Sequence, residues 1–220
     1  MLYLFDIDGT LVDTSGAGMK SLQEASVLLF GHEGPSLDLA GSTDLGVVAL
    51  IHAHFGVEST VERIECYFST YLTCLDRNLS EGIFPGRVLD GVPEILAELS
   101  SRPGSTMGLL TGNISGGAAS KMRHFGLAEY FPFGAYGCDH ADRNLLGPIA
   151  LERAFHHTSR NFLPGETWVI GDTPKDIACA HAMGARCLAV ATGRYSVTEL
   201  SSAGADVAVP SMRDALAHLV

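Results

Sequence analysis

The chain begins with an uninterrupted apolar run that ends in polar residues. Residues 2–5 read LYLF and are followed by Asp6, Asp8 and Gly9. Because no polar residue interrupts the run, it predicts a strand buried on both faces, as in the parallel sheet of an α/β domain. Asp6 and Asp8 are two residues apart, so in extended geometry their side chains point the same way, and Gly9 permits a sharp turn. The stretch predicts paired carboxylates at the carboxyl end of a strand, the edge where open α/β sheets bind ligands.

From residue 15 to about residue 80 the apolar spacing becomes helical, and no strand is predicted. The apolar stripes are Met19–Leu29, Leu45–Phe55 and Ile64–Leu75, and Gly31 and Gly56 end the first two. Ser59 and Glu62 have the spacing of a capping box, which predicts that the third helix starts at Ser59. Residues 15 to about 80 are therefore predicted to form a helical insertion.

Strands and helices alternate from about residue 82 to the C-terminus. Strands are predicted at 106–111, 133–136, 167–170, 186–191 and 206–209, and helices at 92–99, 115–124, 148–157, 174–183, about 197–203 and from 211. Such alternation is typical of a parallel sheet with helices on both faces. We predict a doubly wound, Rossmann-like α/β core (residues 1–14 and 82–220) with an inserted all-helical cap domain (residues 15–81).

Composition and charge narrow the class of protein. The chain has 220 residues, of which 46% are hydrophobic and 18% charged, so it is large enough to bury a substantial core. A formal net charge of −11 argues against nucleic-acid and acidic-membrane partners. No apolar run approaches the ~18 residues of a membrane span, and the early first strand leaves no room for a signal peptide. Five cysteines without a CxxC pair predict neither a zinc site nor a disulfide framework. We expect a soluble, cytoplasmic protein, and its oligomeric state is not predicted.

Two further strand ends carry polar clusters. One predicted strand runs into Thr111, Gly112 and Asn113 and then into a helix that begins with Ser115. A hydroxyl followed by glycine-rich backbone at a helix N-terminus can cradle an anion, because free N–H groups and the positive end of the helix dipole face the ligand.

The other cluster adds two more carboxylates. Asp172 and Asp176 follow the apolar strand around Val169, with Pro174 placed to start the next helix. Two bare carboxylates about 4 Å apart repel by roughly 4 kcal/mol at an effective dielectric of 20, so four converging aspartates need a cation. Oxygen ligands without His or Cys favour Mg²⁺.

Three ordered motifs, DIDGT, LLTGN and VIGDTPKD, resemble motifs I, II and IV of the haloacid dehalogenase (HAD) superfamily. The helical insertion lies where that superfamily carries a cap, directly after motif I. The longer run VIGDTPKDIACAHAMGARCLAVATG resembles the phosphoglycolate-phosphatase-like group of HAD phosphohydrolases. The resemblance extends from Leu4 to about Gly193.

The resemblance implies a role for each motif residue. Asp6 is expected to be the nucleophile that forms an aspartyl-phosphate, and Asp8 the acid and then base that also offers its backbone carbonyl to the metal. Thr111 and the amides of Gly112 and Asn113 are expected to hold the phosphoryl oxygens. Asp172 is expected to hold Mg²⁺, and Asp176 is either a second ligand or a partner of one.

Motif III departs from the family pattern. The family usually places a Lys there, whereas the corresponding stretch here, DHADRNLLGPIALERA, contains none. Arg143 is the best candidate to neutralise nucleophile and phosphate. A guanidinium keeps the charge and suits phosphate, but it differs from lysine in size and reach.

The predicted function is Mg²⁺-dependent hydrolysis of a small phosphate monoester, such as phosphoglycolate or a similarly compact organic phosphate. The haloacid dehalogenase reaction is disfavoured, because Asp8 supplies a leaving-group acid that carbon–halogen cleavage does not need, and a phosphonatase resembling the family is expected to lack Asp8. A phosphomutase of the β-phosphoglucomutase type and a catalytically idle binding module are the alternatives. In the cap, Lys20 and the loop Gly41–Asp44 are candidates to meet the leaving group, with an exposed lysine and a helix N-cap as the alternative interpretation.

Overall fold

The computed structural model describes residues 1–219. Its strands are β1 (Leu2–Phe5), β2 (Val12–Asp13), β3 (Arg87–Val88), β4 (Thr106–Leu110), β5 (Gly134–Ala135), β6 (Thr167–Gly171), β7 (Arg186–Val190) and β8 (Val207–Val209). Its α-helices are α1 (Ala17–Phe30), α2 (Asp44–His54), α3 (Val61–Ser80), α4 (Val92–Ser101), α5 (Ser115–His124), α6 (Leu146–Thr158), α7 (Pro174–Ala182), α8 (Val197–Ser202) and α9 (Met212–Leu219).

Six of the strands in residues 1–219 form one parallel sheet in the order β5-β4-β1-β6-β7-β8. The first strand lies at its centre, where Leu4 aligns with Gly108 of β4 and with Val169 of β6. The carboxyl ends of β1, β4 and β6 are therefore neighbours, which brings the three polar motifs to one edge of the sheet. The predicted α/β fold class is confirmed.

The central strand is covered on both faces. Tyr3 and Phe5 belong to one buried apolar cluster, and Leu2 and Leu4 belong to another on the opposite face of the sheet. This two-sided burial explains why the first strand lacks polar alternation.

The helices α1, α2 and α3 enclose most of a third apolar cluster, which includes Tyr67 and Tyr71 and extends to Ile114 at the start of α5. A Cβ on Gly116 of α5 would lie 2.7 Å from a methyl carbon of Leu72, so this glycine lets α3 pack closely against the rest of the chain. We keep the division into a core (1–14 and 82–220) and a cap (15–81) as a proposal that this separate cluster supports. The last core residue, Val220, lies outside the described residues.

The predicted start of the third helix is wrong by one residue. Thr60 is the N-cap of α3 and accepts a hydrogen bond from the Arg63 amide at 3.4 Å. The Ser59 hydroxyl instead lies 3.0 Å from Nδ1 of His52, so it is engaged elsewhere in the cap.

A small antiparallel pair was not predicted from the sequence. Val12 of β2 pairs with Val88 of β3, and Asp13 pairs with Arg87. The pair joins the chain segment that enters the cap to the segment that leaves it. Two residues in each strand are too few to produce a recognisable apolar pattern.

None of the helices in residues 1–219 has both the length and the apolar content required to cross a membrane. The compartment and the absence of nucleic-acid and membrane partners stay predictions.

Candidate active site

A cavity of about 220 Å³ lies between the carboxyl ends of the central strands and the cap helices. Most of the residues predicted for the site line this cavity: Asp6, Asp8, Gly112, Asn113, Arg143 and Asp172. The other two, Thr111 and Asp176, are fully buried. The structure thus gathers at one place residues that are spread over more than 160 positions of the chain.

Asp6 is a buried carboxylate held in place at the end of β1. Its amide donates to the carbonyl of Ile170 at 2.9 Å, which continues the pairing with β6 beyond the strand. One carboxylate oxygen lies 3.3 Å from the Arg143 guanidinium. Burial raises the pKa of Asp6 to about 6, against the lowering effect of Arg143 and with a further rise from Asp176.

Arg143 links two of the acids. Its NH2 nitrogen donates to Asp176 at 2.5 Å and to the carbonyl of Leu110 at 3.3 Å, and the side chain is only 6% exposed. The other end of the guanidinium faces Gly112, because a Cβ there would lie 3.3 Å from NH1. The buried Nε donor has no hydrogen-bond partner within residues 1–219. Arg143 therefore lies against both the predicted nucleophile and the predicted phosphate-binding loop.

Asp176 uses both of its oxygens within the protein. Oδ1 pairs with Arg143, and Oδ2 accepts from the amide of Thr173 at 3.0 Å and from its hydroxyl at 2.7 Å. The Thr173 hydroxyl in turn accepts from the Asp176 amide at 3.3 Å, which completes a capping box at the start of α7. Asp176 therefore caps α7 and also pairs with Arg143 at the site, while its role toward a metal stays a prediction.

Asp172 lies in a niche that depends on two glycines. A Cβ on Gly9 would lie 2.7 Å from the Asp172 carboxyl carbon, and a Cβ on Gly193 would lie 2.9 Å from it. Burial raises the pKa of Asp172 to about 8, with further rises from Asp176 and Asp6. The niche thus holds a carboxylate where its negative charge is poorly compensated.

The donor set fits a hard cation. Asp6, Asp172 and Asp176 each offer a carboxylate oxygen, and these oxygens lie within 4.8 Å of one another. Among the described residues, Arg143 is the one cation that forms an ion pair with members of this cluster. Oxygen donors in this number, with raised pKa values at Asp6 and Asp172, suit Mg²⁺.

The predicted anion cradle at the start of α5 is partly occupied by the cap. The Ile114 amide donates to the carboxylate of Asp44 at 2.8 Å, and the Asp44 amide donates to the carbonyl of Gly112 at 2.7 Å. Burial raises the pKa of Asp44 to about 6, while the hydrogen bond from Ile114 lowers it. An acid of the cap thus takes the Ile114 amide, and the Asn113 amide donates to the Thr111 hydroxyl at 3.3 Å, so two amides of the predicted cradle already have partners within the protein.

The side chain of Asn113 hydrogen-bonds to three polar residues, whereas the sequence predicted a role only for its backbone amide. Its Nδ2 donates to Asp8 at 2.8 Å and to the Thr111 hydroxyl at 2.9 Å. Its Oδ1 accepts from the ammonium of Lys121 at 2.6 Å. Lys121 also donates to the two carboxylate oxygens of Asp8 at 2.8 and 2.6 Å. Sequence reasoning missed Lys121, which lies ten positions after Thr111 in a helix whose last turn also carries Arg123 and His124.

The cap reaches the cavity through its loop and through Tyr71. Gly41, Ser42 and Asp44 line the cavity, whereas Thr43 is the N-cap of α2 and accepts from the Gly46 amide at 3.2 Å. The phenol of Tyr71 also lines the cavity. Lys20 is not among the lining residues; its side chain is 49% exposed and lies 3.9 Å from Glu24. Thr43 thus has the predicted N-cap role, and contact of the loop with the leaving group stays a prediction.

A family model described as haloacid dehalogenase-like hydrolase matches residues 3–190. The chain belongs to this family. N-acetylmuramic acid 6-phosphate phosphatase from Pseudomonas aeruginosa is 30% identical over 217 residues, covering 96% of this chain and 91% of the relative. Phosphoglycolate phosphatase 1 from the same organism is 24% identical over 232 residues, covering 98% and 78%.

A solved structure shares the fold over almost the whole chain. CbbY from Rhodobacter sphaeroides in complex with phosphate superposes with a TM-score of 0.75 at 19% identity, covering 97% of this chain and 95% of that one. The predicted resemblance to the HAD superfamily and its phosphoglycolate-phosphatase-like group is confirmed, and so is the enzyme class, a HAD-type phosphoric monoester hydrolase.

Proposed function

We propose that this enzyme is a Mg²⁺-dependent phosphatase that hydrolyses a small phosphate monoester through an aspartyl-phosphate on Asp6. One observation carries the proposal: the buried Asp6 carboxylate lies 3.3 Å from Arg143, in a cavity that Asp8, Gly112 and Asn113 also line. A nucleophile, a proton-transfer group and phosphate-binding groups thus face one space.

In the first half of the reaction, a carboxylate oxygen of Asp6 attacks phosphorus while the bond to the leaving oxygen breaks. Asp8 gives that oxygen a proton. In the second half, Asp8 takes a proton from water, whose oxygen attacks the phosphorus of the aspartyl-phosphate. Inorganic phosphate leaves, and the Asp6 carboxylate is restored.

Asp6, Asp172 and the backbone carbonyl of Asp8 would hold Mg²⁺. When bound, the ion neutralises the carboxylates and the phosphoryl oxygens that would otherwise repel each other. We assign Asp176 a supporting role, because both its oxygens are already engaged with Arg143 and Thr173.

Arg143 takes the place of the usual motif III lysine in this proposal. Its guanidinium borders both Asp6 and Gly112, so a phosphoryl group bound on the loop would lie beside a fixed positive charge. The unpaired Nε donor supports such a role, because a buried donor without a partner is unfavourable until it meets an acceptor.

The phosphomutase alternative uses the same paired acids, and product analysis separates it from hydrolysis. A mutase would return an isomeric phosphate ester of a sugar phosphate, whereas a phosphatase releases inorganic phosphate. The hydrolase family and the positive charge of Arg143 beside Asp6 favour the phosphatase over the binding-module alternative.

We expect the protein to hydrolyse 4-nitrophenyl phosphate in the presence of Mg²⁺ and to lose at least about 100-fold of that rate in excess chelator. Release of nitrophenolate and of phosphate measures the reaction, and added Mg²⁺ should restore it. A rate that chelator leaves unchanged would contradict the metal-dependent proposal. A rate no higher than that of Asp6→Asn would contradict the phosphatase proposal itself.

The charge of the cap residues that line the cavity leads us to expect an uncharged leaving group. Among the described residues that line it, those of the cap are apolar or uncharged except Asp44. Burial raises the pKa of Asp44 to about 6, so it is ionised at pH 8 and would repel a substrate carboxylate. We expect kcat/KM for 2-hydroxyethyl phosphate to exceed that for phosphoglycolate about 10-fold, since unit charges about 4 Å apart interact by roughly 1–4 kcal/mol.

The two esters are similar in size and differ in the charge of the leaving group. The family resemblance predicts a phosphoglycolate-like substrate. Comparing the two esters tests whether the substrate resembles phosphoglycolate in charge as well as in size. A higher kcat/KM for phosphoglycolate would contradict the electrostatic argument and favour the closer likeness.

A further inference from the structure

We propose that Lys121 is a positioning residue of the reaction, which holds the Asp8 carboxyl group and the Asn113 amide in the orientation needed for proton transfer to the leaving oxygen. The proposal rests on the phosphatase function proposed above. It concerns a residue outside the three motifs, in the last turn of α5.

The burial of Lys121 is unusual for its type. Its side chain is 4% exposed, whereas that of its partner Asp8 is 43% exposed. Lysine is among the residues least often buried unless its charge is paired, because removing an ammonium from water is unfavourable. A lysine placed inside the protein beside an acid that faces the cavity points to a role at that acid.

The ammonium has three donors, and three acceptors surround it. Two are the carboxylate oxygens of Asp8 at 2.8 and 2.6 Å, and the third is Oδ1 of Asn113 at 2.6 Å. The ammonium of Lys121 thus hydrogen-bonds to both carboxylate oxygens of Asp8. Rotation of that carboxylate would break at least one charge-assisted hydrogen bond.

Lys121 also determines how the Asn113 amide is oriented. With Oδ1 turned toward the ammonium, Nδ2 faces Asp8 at 2.8 Å and the Thr111 hydroxyl at 2.9 Å. The reverse orientation would place amide donors against an ammonium that has only donors. One buried lysine therefore orients the proton-transfer group and the side chain of the phosphate-binding loop together.

A general electrostatic role is the competing explanation, in which Lys121 merely offsets the charge of the acids and supports phosphate binding. The two explanations differ in which substrates suffer when the lysine is lost. An ethyl ester needs a proton on its leaving oxygen, whereas 4-nitrophenolate departs without one. Loss of positioning at Asp8 harms the first selectively, and loss of positive charge harms both.

The experiment compares Lys121→Met with wild type on ethyl phosphate and 4-nitrophenyl phosphate, using kcat/KM. That quantity reports on steps up to departure of the leaving group, so the second half of the reaction does not enter it. We expect kcat/KM for ethyl phosphate to fall on the order of 100-fold and that for 4-nitrophenyl phosphate less than about 5-fold. Arg123→Met, at an exposed cation in the same turn of α5, is the matched control and should change neither.

Equal losses on both esters, or a larger loss on the aryl ester, would overturn the proposal in favour of the electrostatic role. If Lys121→Met does not fold, Lys121→Gln serves instead, because its shorter side chain has only two N–H donors and cannot hold the three acceptors of the ammonium together, and the same selectivity is required of it. Inactivity of the wild type on both esters would contradict the phosphatase function instead, so the two failures are distinguishable.

Discussion

Asp6→Asn is expected to lower the rate of phosphate ester hydrolysis on the order of 10³-fold or more, because a neutral amide cannot attack phosphorus to form the aspartyl-phosphate. The substitution changes one oxygen to nitrogen and leaves the size of the side chain almost unchanged. Steady-state release of phosphate from 4-nitrophenyl phosphate measures the loss. A variant that keeps a tenth of the wild-type rate would show that Asp6 is not the nucleophile.

Stability separates loss of chemistry from loss of structure in this variant. Burial raises the pKa of Asp6, which means that burying the charged carboxylate destabilises the folded protein at pH 8. A neutral amide at this position removes that destabilising effect. We expect the metal-free Asp6→Asn protein to melt at the wild-type temperature or above it at pH 8. Asp76→Asn, at an exposed position on α3, is the matched control and should keep full activity.

Arg143→Met is expected to cost about 3–5 kcal/mol of folding free energy, because it leaves the buried carboxylates of Asp6 and Asp176 without their counter-charge. Activity should fall by at least about 100-fold, since the fixed positive charge beside the phosphoryl group is lost as well. Denaturant unfolding and kcat/KM measured on the same preparations test both effects.

Arg143→Lys tests how far charge alone suffices at this position. The guanidinium contacts Asp176, Asp6 and the carbonyl of Leu110 from one nitrogen and faces Gly112 with another. A single ammonium cannot span these positions, so we expect intermediate stability and activity. Wild-type values in both variants would remove Arg143 from the site.

The charge balance of the site explains why these two substitutions should have the largest effects. Asp6, Asp172 and Asp176 approach within 4.8 Å in a region that water barely reaches. Electrostatic interactions are stronger and less screened there than at the surface. A change of one charge in this cluster therefore alters both stability and chemistry, whereas a similar change on α3 should alter neither.

The central strand and its acids could be predicted because their pattern is local. An apolar run such as residues 2–5 can remain apolar throughout only if both faces of the strand are covered, and the observed clusters on the two sides of the sheet bear this out. Strand ends at Asp6, Thr111 and Asp172 could be expected to meet because parallel strands share a carboxyl edge.

The partners of those acids could not be predicted, because they come from surfaces with no local signal. Lys121 lies in the last turn of α5 with other basic residues, where the sequence predicts an ordinary solvent-facing lysine. Only the packing of this helix against the site shows that it is buried. In the sequence, Asp44 is an acid in the first turn of a predicted helix, a common position for acids. In the structure its carboxylate accepts a hydrogen bond from the amide of Ile114, which is 70 residues away in the sequence. Burial and the identity of a distant partner decide both roles.

The sequence by itself determined the α/β alternation, the helical stretch that follows the first strand and the carboxylates and hydroxyl at the strand ends, because periodicity and residue type depend on near neighbours. Only the tertiary structure decided which charges meet: Arg143 against Asp6 and Asp176, Lys121 against Asp8, and Asp44 against the start of α5. Electrostatic and hydrogen-bonding energies depend on distances of a few ångströms and on burial, and chain packing alone sets those quantities.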